Sequence, residues 1–357
     1  MKTQQTLSPE IDLVLSLSRT TLDPNLIARV KLLIGLRPNW ETVFFISNLQ
    51  GTSALIYKNI NNLVFLKKTV PDSVYKKFRN YYYCSLNKNL RLWIEFIRIY
   101  DTFKNANIEI MPLKGIIFCW SIYRDPALRR IAADIDILVK LEDVKKSSDK
   151  LCEIGYAADK LLENEIVFNK GKFFVELHWY IMHLLNSINN AELWDRSVFY
   201  EIDERKIKTL SNENIILTLA TQLHHHLQDL WLFRLCDINE ILTQYKDSLD
   251  WSYILRKAKK YRIEGSLLVT LYLSNTLMSS YLPEGILKKL TLGSIRKKLL
   301  MVVLPNEVRL LLKKQLAARI NVYKSAFLKI LIQHSLTDCL KIVLYNLKTF
   351  RTIIGEH

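Results

Sequence analysis

Apolar residues recur at helical spacing through the first hundred positions. Leu13, Leu17, Leu26, Ile27, Val30, Leu33 and Ile34 form one such run, Pro38-Asn39 interrupts it, and Trp40, Val43, Phe44 and Ile46 open another. A third helix is predicted after Val70-Pro71-Asp72, carried by Tyr81, Tyr82, Tyr83, Leu86, Leu90, Trp93, Ile94, Ile97 and Tyr100 and apolar on one side, which suits packing against a sheet. Three consecutive tyrosines on a helix cannot face one way, so core or groove packing is expected of them rather than base stacking.

The period changes over residues 108–139, which predict a strand, a Lys-Gly turn, a short helix, an arginine-bearing loop and a second strand. Leu141-Glu142-Asp143-Val144 then starts a helix with early acids that stops at Gly155. Two β-prone runs follow, Glu165-Ile166-Val167-Phe168 and Phe173 to Trp179, with Lys170-Gly171-Lys172 between them as a hairpin turn. From Leu210 the helical period returns. Ser211-Asn212-Glu213-Asn214 caps a helix over 215–230, Leu235, Ile238, Leu242 and Tyr245 align on the next, and the pattern persists to a final helix with Leu336, Leu340, Val343 and Leu347. The expectation is an α+β protein: a small mixed β-sheet core over 105–205, flanked by N-terminal helices over 1–104 and a C-terminal helical bundle over 206–357.

Composition narrows this picture. A chain of 357 residues can bury a large core, and only 9 Gly and 8 Pro fit a mostly helical fold with few turns. Five widely spaced cysteines with no C-x-x-C fit a reducing compartment and exclude the usual zinc spacings. The N-terminus lacks the pattern of a signal peptide and no apolar run is long enough to span a bilayer, so a cytoplasmic protein is expected. The formal charge is +16, and 14 Lys or Arg against Glu307, Asp338 and Glu356 place +11 of it over 288–357. Such a region offers itself to RNA or another anionic partner, although a Lys-rich composition raises charge with no partner at all.

The chemistry concentrates in a few acids. Asp134 and Asp136 are two apart on a predicted strand, so they share a face about 6 to 7 Å apart, and unpaired they repel unless a cation lies between them. Glu176 and His178 share a face of their strand in the same way. Lys114, Arg129 and Arg130 flank this region as candidate phosphate partners, or else neutralise the aspartates or sit in water. Gly115 is expected to matter for close backbone approach, and the helix that starts near Ile116 offers unpaired N–H groups. His224, His225 and His226 do not make a metal clamp, because adjacent helical residues point about 100° apart. Asp237, one turn from Arg234, reads as a structural ion pair rather than a catalytic acid.

The sequence LKG at 113–115, YRDPALRR at 123–130, DIDILV at 134–139 and ELHW at 176–179 resembles the polymerase-β-like nucleotidyltransferase superfamily, and within it the bacterial group labelled nucleotidyltransferase family proteins. Downstream, the His-rich helix, the segment 234–238 and Asp250-Trp251 are similar to the same group, so the resemblance covers roughly 40–285. It implies that Asp134, Asp136 and Glu176 bind divalent cations, Mg²⁺ or Mn²⁺, with Glu176 on a strand beside the Asp-x-Asp strand. The implied reaction passes a nucleoside monophosphate from a nucleoside triphosphate to an acceptor. Beside that site Lys114, Gly115, Arg129, Arg130 and His178 are the candidates to serve the nucleotide, His178 positioning substrate or Glu176 or else being a buried, hydrogen-bonded histidine. That acceptor, whether small molecule, RNA, peptide or protein, is not legible, and neither is the oligomeric state. One departure stands out: superfamily members usually carry Gly-Ser where this chain has Gly115-Ile116, so a phosphate-holding hydroxyl is missing. The alternative reading is a non-catalytic protein that keeps the fold as a binding platform, with nucleic acid on its basic C-terminal region.

Overall fold

The computed structural model describes residues 7–130, 134–162, 164–181, 190–225 and 232–290. The chain opens with α1 (Pro9–Leu17), α2 (Pro24–Gly35), α3 (Trp40–Leu49), α4 (Ser53–Asn62), α5 (Val64–Lys67) and the 34-residue α6 (Asp72–Asn105). The first run of apolar residues, expected as one helix, is broken at Asp23-Pro24. Asp23 caps α2 by accepting from Leu26 N–H, and Pro24 takes the first helical position, where its missing N–H costs nothing. Ser8 and Asn39 cap α1 and α3 in the same way.

Helix α6 runs unbroken for about 51 Å at 1.5 Å per residue. It serves as the spine against which α3, α4, and the helices α7 (Gly115–Ser121) and α8 (Val144–Glu153) pack. Tyr82 on α6 donates to Asp125 at 2.8 Å and meets Tyr83 edge to face, so this tyrosine belongs to a packed groove.

The sheet comprises β1 (Ile110–Pro112), β2 (Ile135–Val139), β3 (Ala157–Leu161), β4 (Glu165–Lys170) and β5 (Phe173–His178), in the spatial order β1-β2-β5-β4-β3. Only the central pair, β2 with β5, is parallel. Gly171 sits at φ +60°, as a tight β4–β5 turn requires. On one face Ile135, Ile137, Val175 and Leu177 are fully buried, while the other carries the polar residues.

After α9 (Asn190–Asp195), a second hairpin of β6 (Val198–Ile202) and β7 (Arg205–Thr209) packs on β1. The sequence pattern did not suggest it. Its turn residues, Asp203 and Glu204, both have positive φ, 48° and 61°, without the glycine that marks such turns. The helices α10 (Asn212–His225), α11 (Leu232–Gln244), α12 (Trp251–Lys260), α13 (Glu264–Met278) and α14 (Ile286–Lys289) complete the described chain, with α13 against α1, α10, α11 and α12. One continuous apolar core runs from Ile11 through the sheet to Leu290. The expected final helix and nearly all of the basic C-terminal region lie outside the described residues.

Candidate active site

The local sequence fixes where the acids emerge. Parallel pairing sets Asp136 opposite Glu176 and Leu138 opposite His178, so Asp136, Glu176 and His178 leave the same face of the sheet, with Leu138 beside them. Asp134 stands immediately ahead of β2 and is half-buried. Donor atoms of Asp136, Glu176 and His178 all lie within 4.8 Å of one another; Asp134 is not in that set, and His178 stands where the sequence predicts Asp134.

Two cations meet one oxygen here. Lys114 Nζ is 2.8 Å from Asp136 Oδ1, and His178 Nε2 is 3.1 Å from the same atom. His178 Nε2 is also 3.5 Å from Glu176 Oε2. Lys114 arrives from the β1–α7 turn, whose geometry is unusual: its φ of 52° and ψ of −128° suit glycine better than a side-chain-bearing residue. A conformation of that kind costs about 1–3 kcal/mol, and such costs cluster where a side chain must be aimed. The turn is tied down by Leu113 N–H donating to Asp136 carbonyl oxygen at 2.9 Å.

The electrostatics follow from this crowding. Burial, then the charges of Asp136 and Glu176, push the Asp134 carboxyl up to about 6. Burial acts the same way on Asp136, but Lys114 and His178 overcome it and hold that carboxyl well below the usual carboxylate range. For His178 burial opposes the charge, yet contacts to Asp136, Glu165 and Glu176 prevail and raise the imidazole to about 10. Lys114 is likewise raised, its carboxylate neighbours outweighing desolvation.

Glu165 was not singled out by sequence. It pairs with His178 across β4 and β5, is 6% exposed, and brings Oε2 to 2.8 Å from His178 Nδ1. A signal did exist: counting outward from a two-residue turn at Gly171-Lys172 sets position 165 opposite 178.

The two arginines differ. Arg129 is buried, with its guanidinium on Asp237 at 2.9 Å, and Tyr123 donates to the same acid at 2.8 Å. Asp237 is thus a structural partner, but it takes Arg129 from a distant loop where a neighbour on its own helix was expected. Asn89 holds that loop by donating to the carbonyls of Pro126 at 2.6 Å and Arg129 at 3.2 Å. Arg130 is exposed, lies over the Phe233 ring and feels the charge of Asp134. Gly115 is buried at the start of α7. The side chains of His224, His225 and His226 fall outside what the structure describes.

The mixed sheet thus sets Asp136 beside Glu176, with Asp134 immediately ahead of the same strand, behind a strand–turn–helix unit. The chain matches the model of the family described as "Uncharacterised nucleotidyltransferase" over residues 37–279 and belongs to that family. It is a nucleotidyltransferase. No curated protein sequence matches it.

Solved structures give looser likenesses. A crystal structure of ANT(2")-Ia with adenylyl-2"-tobramycin is 14% identical with a TM-score of 0.37, over 47% of this chain and 95% of that one. A solution structure of the antibiotic-resistance factor ANT(2'')-Ia is 12% identical at a TM-score of 0.38, over 49% and 92%. An antigenic nucleotidyltransferase-like protein from Paracoccidioides brasiliensis is 14% identical at 0.34, over 57% and 97%. All three are likenesses of outline, and the family match carries the assignment. Among the described residues no helix is long and apolar enough to cross a membrane, and Cys84, Cys119, Cys152 and Cys236 are free thiols.

Proposed function

We propose that this protein transfers a nucleoside monophosphate from a nucleoside triphosphate to an acceptor hydroxyl or phosphate, with a divalent cation held by Asp134, Asp136 and Glu176. The observation that carries the reading is the convergence of acids. Asp136 and Glu176 are register partners on one face, and burial, then the charges of Asp136 and Glu176, push the Asp134 carboxyl up to about 6. Crowded carboxylates of this kind fit Mg²⁺ or Mn²⁺, whose preferred ligands are oxygens. Such a cation supplies Lewis-acid stabilisation of charge on the phosphates and activation of the incoming oxygen.

The protein's own groups have distinct tasks. The acceptor oxygen attacks the α-phosphorus, the bond to the bridging oxygen breaks, and pyrophosphate leaves with that electron pair. Glu176, 28% exposed, is open enough to take the proton of an incoming hydroxyl. Lys114 and Arg130 pair with the phosphates, Lys114 leaving Asp136 as it does so. Gly115 permits close approach at the start of α7. Arg129 is assigned to the scaffold, since its guanidinium is engaged by Asp237. His178 is kept in the nucleotide-binding set.

A second reading has two observations in its favour. Lys114 occupies Asp136 as an internal counter-ion, and the helix after it lacks the usual serine. Both suit a fold retained for binding alone. Incubating the protein and a cell lysate with triphosphate labelled at the α- or the γ-phosphate separates these. Transfer of α-label alone, lost on chelation and in Glu176→Gln, supports the enzyme. Transfer of γ-label, or no difference between wild type and Glu176→Gln, rejects it.

A further inference from the structure

The Glu165 carboxylate is buried and meets the ring of His178. The two residues face each other across the β4–β5 pair, at 6% and 4% exposure. Glu165 Oε2 sits 2.8 Å from Nδ1 as an ion-pair contact, without the alignment of a hydrogen bond. The other nitrogen, Nε2, points at Asp136 Oδ1 and Glu176 Oε2, 3.1 and 3.5 Å away. The ring thus has one carboxylate at Nδ1 and two at Nε2.

We propose that His178 is a nitrogen ligand of the divalent cation and that Glu165 is the positioning residue that holds its ring. The proposal rests on the metal-dependent reading above and extends it. A carboxylate at Nδ1 keeps the ring proton there, so Nε2 is the nitrogen with a free lone pair when its own proton departs. Carboxylate, imidazole and metal in series is a recurrent way to fix a histidine ligand and raise its basicity. Donor atoms of Asp136, Glu176 and His178 within 4.8 Å of one another are near enough to share one ion. The donor set then becomes oxygen plus nitrogen. Imidazole is a poor partner for Mg²⁺ and a better one for Mn²⁺ and later metals, so this site favours Mn²⁺ over Mg²⁺.

The test is Mn²⁺ binding to full-length, chelator-stripped protein, followed by electron paramagnetic resonance and electron spin echo modulation. In wild type a ¹⁴N modulation is expected that changes to the ¹⁵N pattern in protein grown with ¹⁵N-labelled histidine, which needs no variant to fold. His178→Gln should lose the modulation. Glu165→Gln should keep it while Mn²⁺ affinity falls about 10–100-fold, with partial recovery in Glu165→Asp. Mn²⁺ bound in an Asp136-dependent manner without nitrogen modulation, or with modulation intact in His178→Gln, overturns the assignment of His178 and leaves the metal-dependent reading standing. Mn²⁺ that fails to bind, or binds Asp136→Asn equally well, overturns both.

Discussion

Asp136 on β2 and Glu176 on β5 are register partners in the one parallel strand pair of the sheet, so their carboxylates leave it side by side. Neither strand alone makes a site. The pairing does, with Lys114 and His178 brought onto the same aspartate oxygen from the turn before α7 and from two residues further along β5.

The buried Arg129–Asp237 pair is predicted to hold the arginine loop to α11 rather than to bind phosphate. Asp237 is fully buried, so Asp237→Ala strands an uncompensated guanidinium and should cost about 3–5 kcal/mol in urea unfolding. Replacing both partners by Leu and Met should recover much of that loss. A stable Asp237→Ala protein with selectively weakened nucleotide binding would return Arg129 to the phosphate-binding set.

In metal-free protein His178 binds its proton more tightly than the unfolded chain does, at about 10 against 6.5. Its contribution to stability is therefore complete below pH 6.5 and is lost as pH rises toward 10. The unfolding temperature of wild type in chelator should fall across that window more steeply than that of His178→Gln. Parallel profiles for the two proteins would show that the imidazolium contributes nothing.

Gly51 marks where the N-terminal helices touch the site. It has φ +70°, and a Cβ there would stand 2.8 Å from Arg130 Cδ. Gly51→Ala should lose about 1–2 kcal/mol from the left-handed backbone alone and also displace Arg130. Unchanged stability together with an unchanged nucleotide-dependent shift would mean that Arg130 is not held by this contact.

Much of the site was legible because it is local. Asp134 and Asp136 two apart on an apolar strand, the Lys114-Gly115 turn, and Gly171 between two β-prone runs each carry their meaning within a few residues. The Asp136–Glu176 adjacency came from family resemblance, because nothing in the residues specifies which strands pair. What escaped depends on register or distance. Glu165 gains a role only when the β4–β5 register is counted to His178, and Asp237 meets Arg129 across 108 positions. The edge strand β3 is exposed along its length and reads Ala-Ala-Asp-Lys-Leu, so it has no apolar alternation to betray it. The β6–β7 hairpin hid behind Asp203-Glu204, which adopt the positive φ values that usually announce themselves as glycine.

The most direct measurement is the unfolding temperature of chelator-treated wild type and Glu176→Gln with each nucleoside triphosphate, with and without Mg²⁺ or Mn²⁺. Glu176 is partly exposed, so the variant should fold as wild type does. Ligand at 100 times its dissociation constant stabilises by about 2.7 kcal/mol, a readily measured shift. The account predicts a shift in wild type that needs metal and nucleotide together and is largely lost in Glu176→Gln. A nucleotide shift of equal size without metal, or one preserved in the variant, would contradict it.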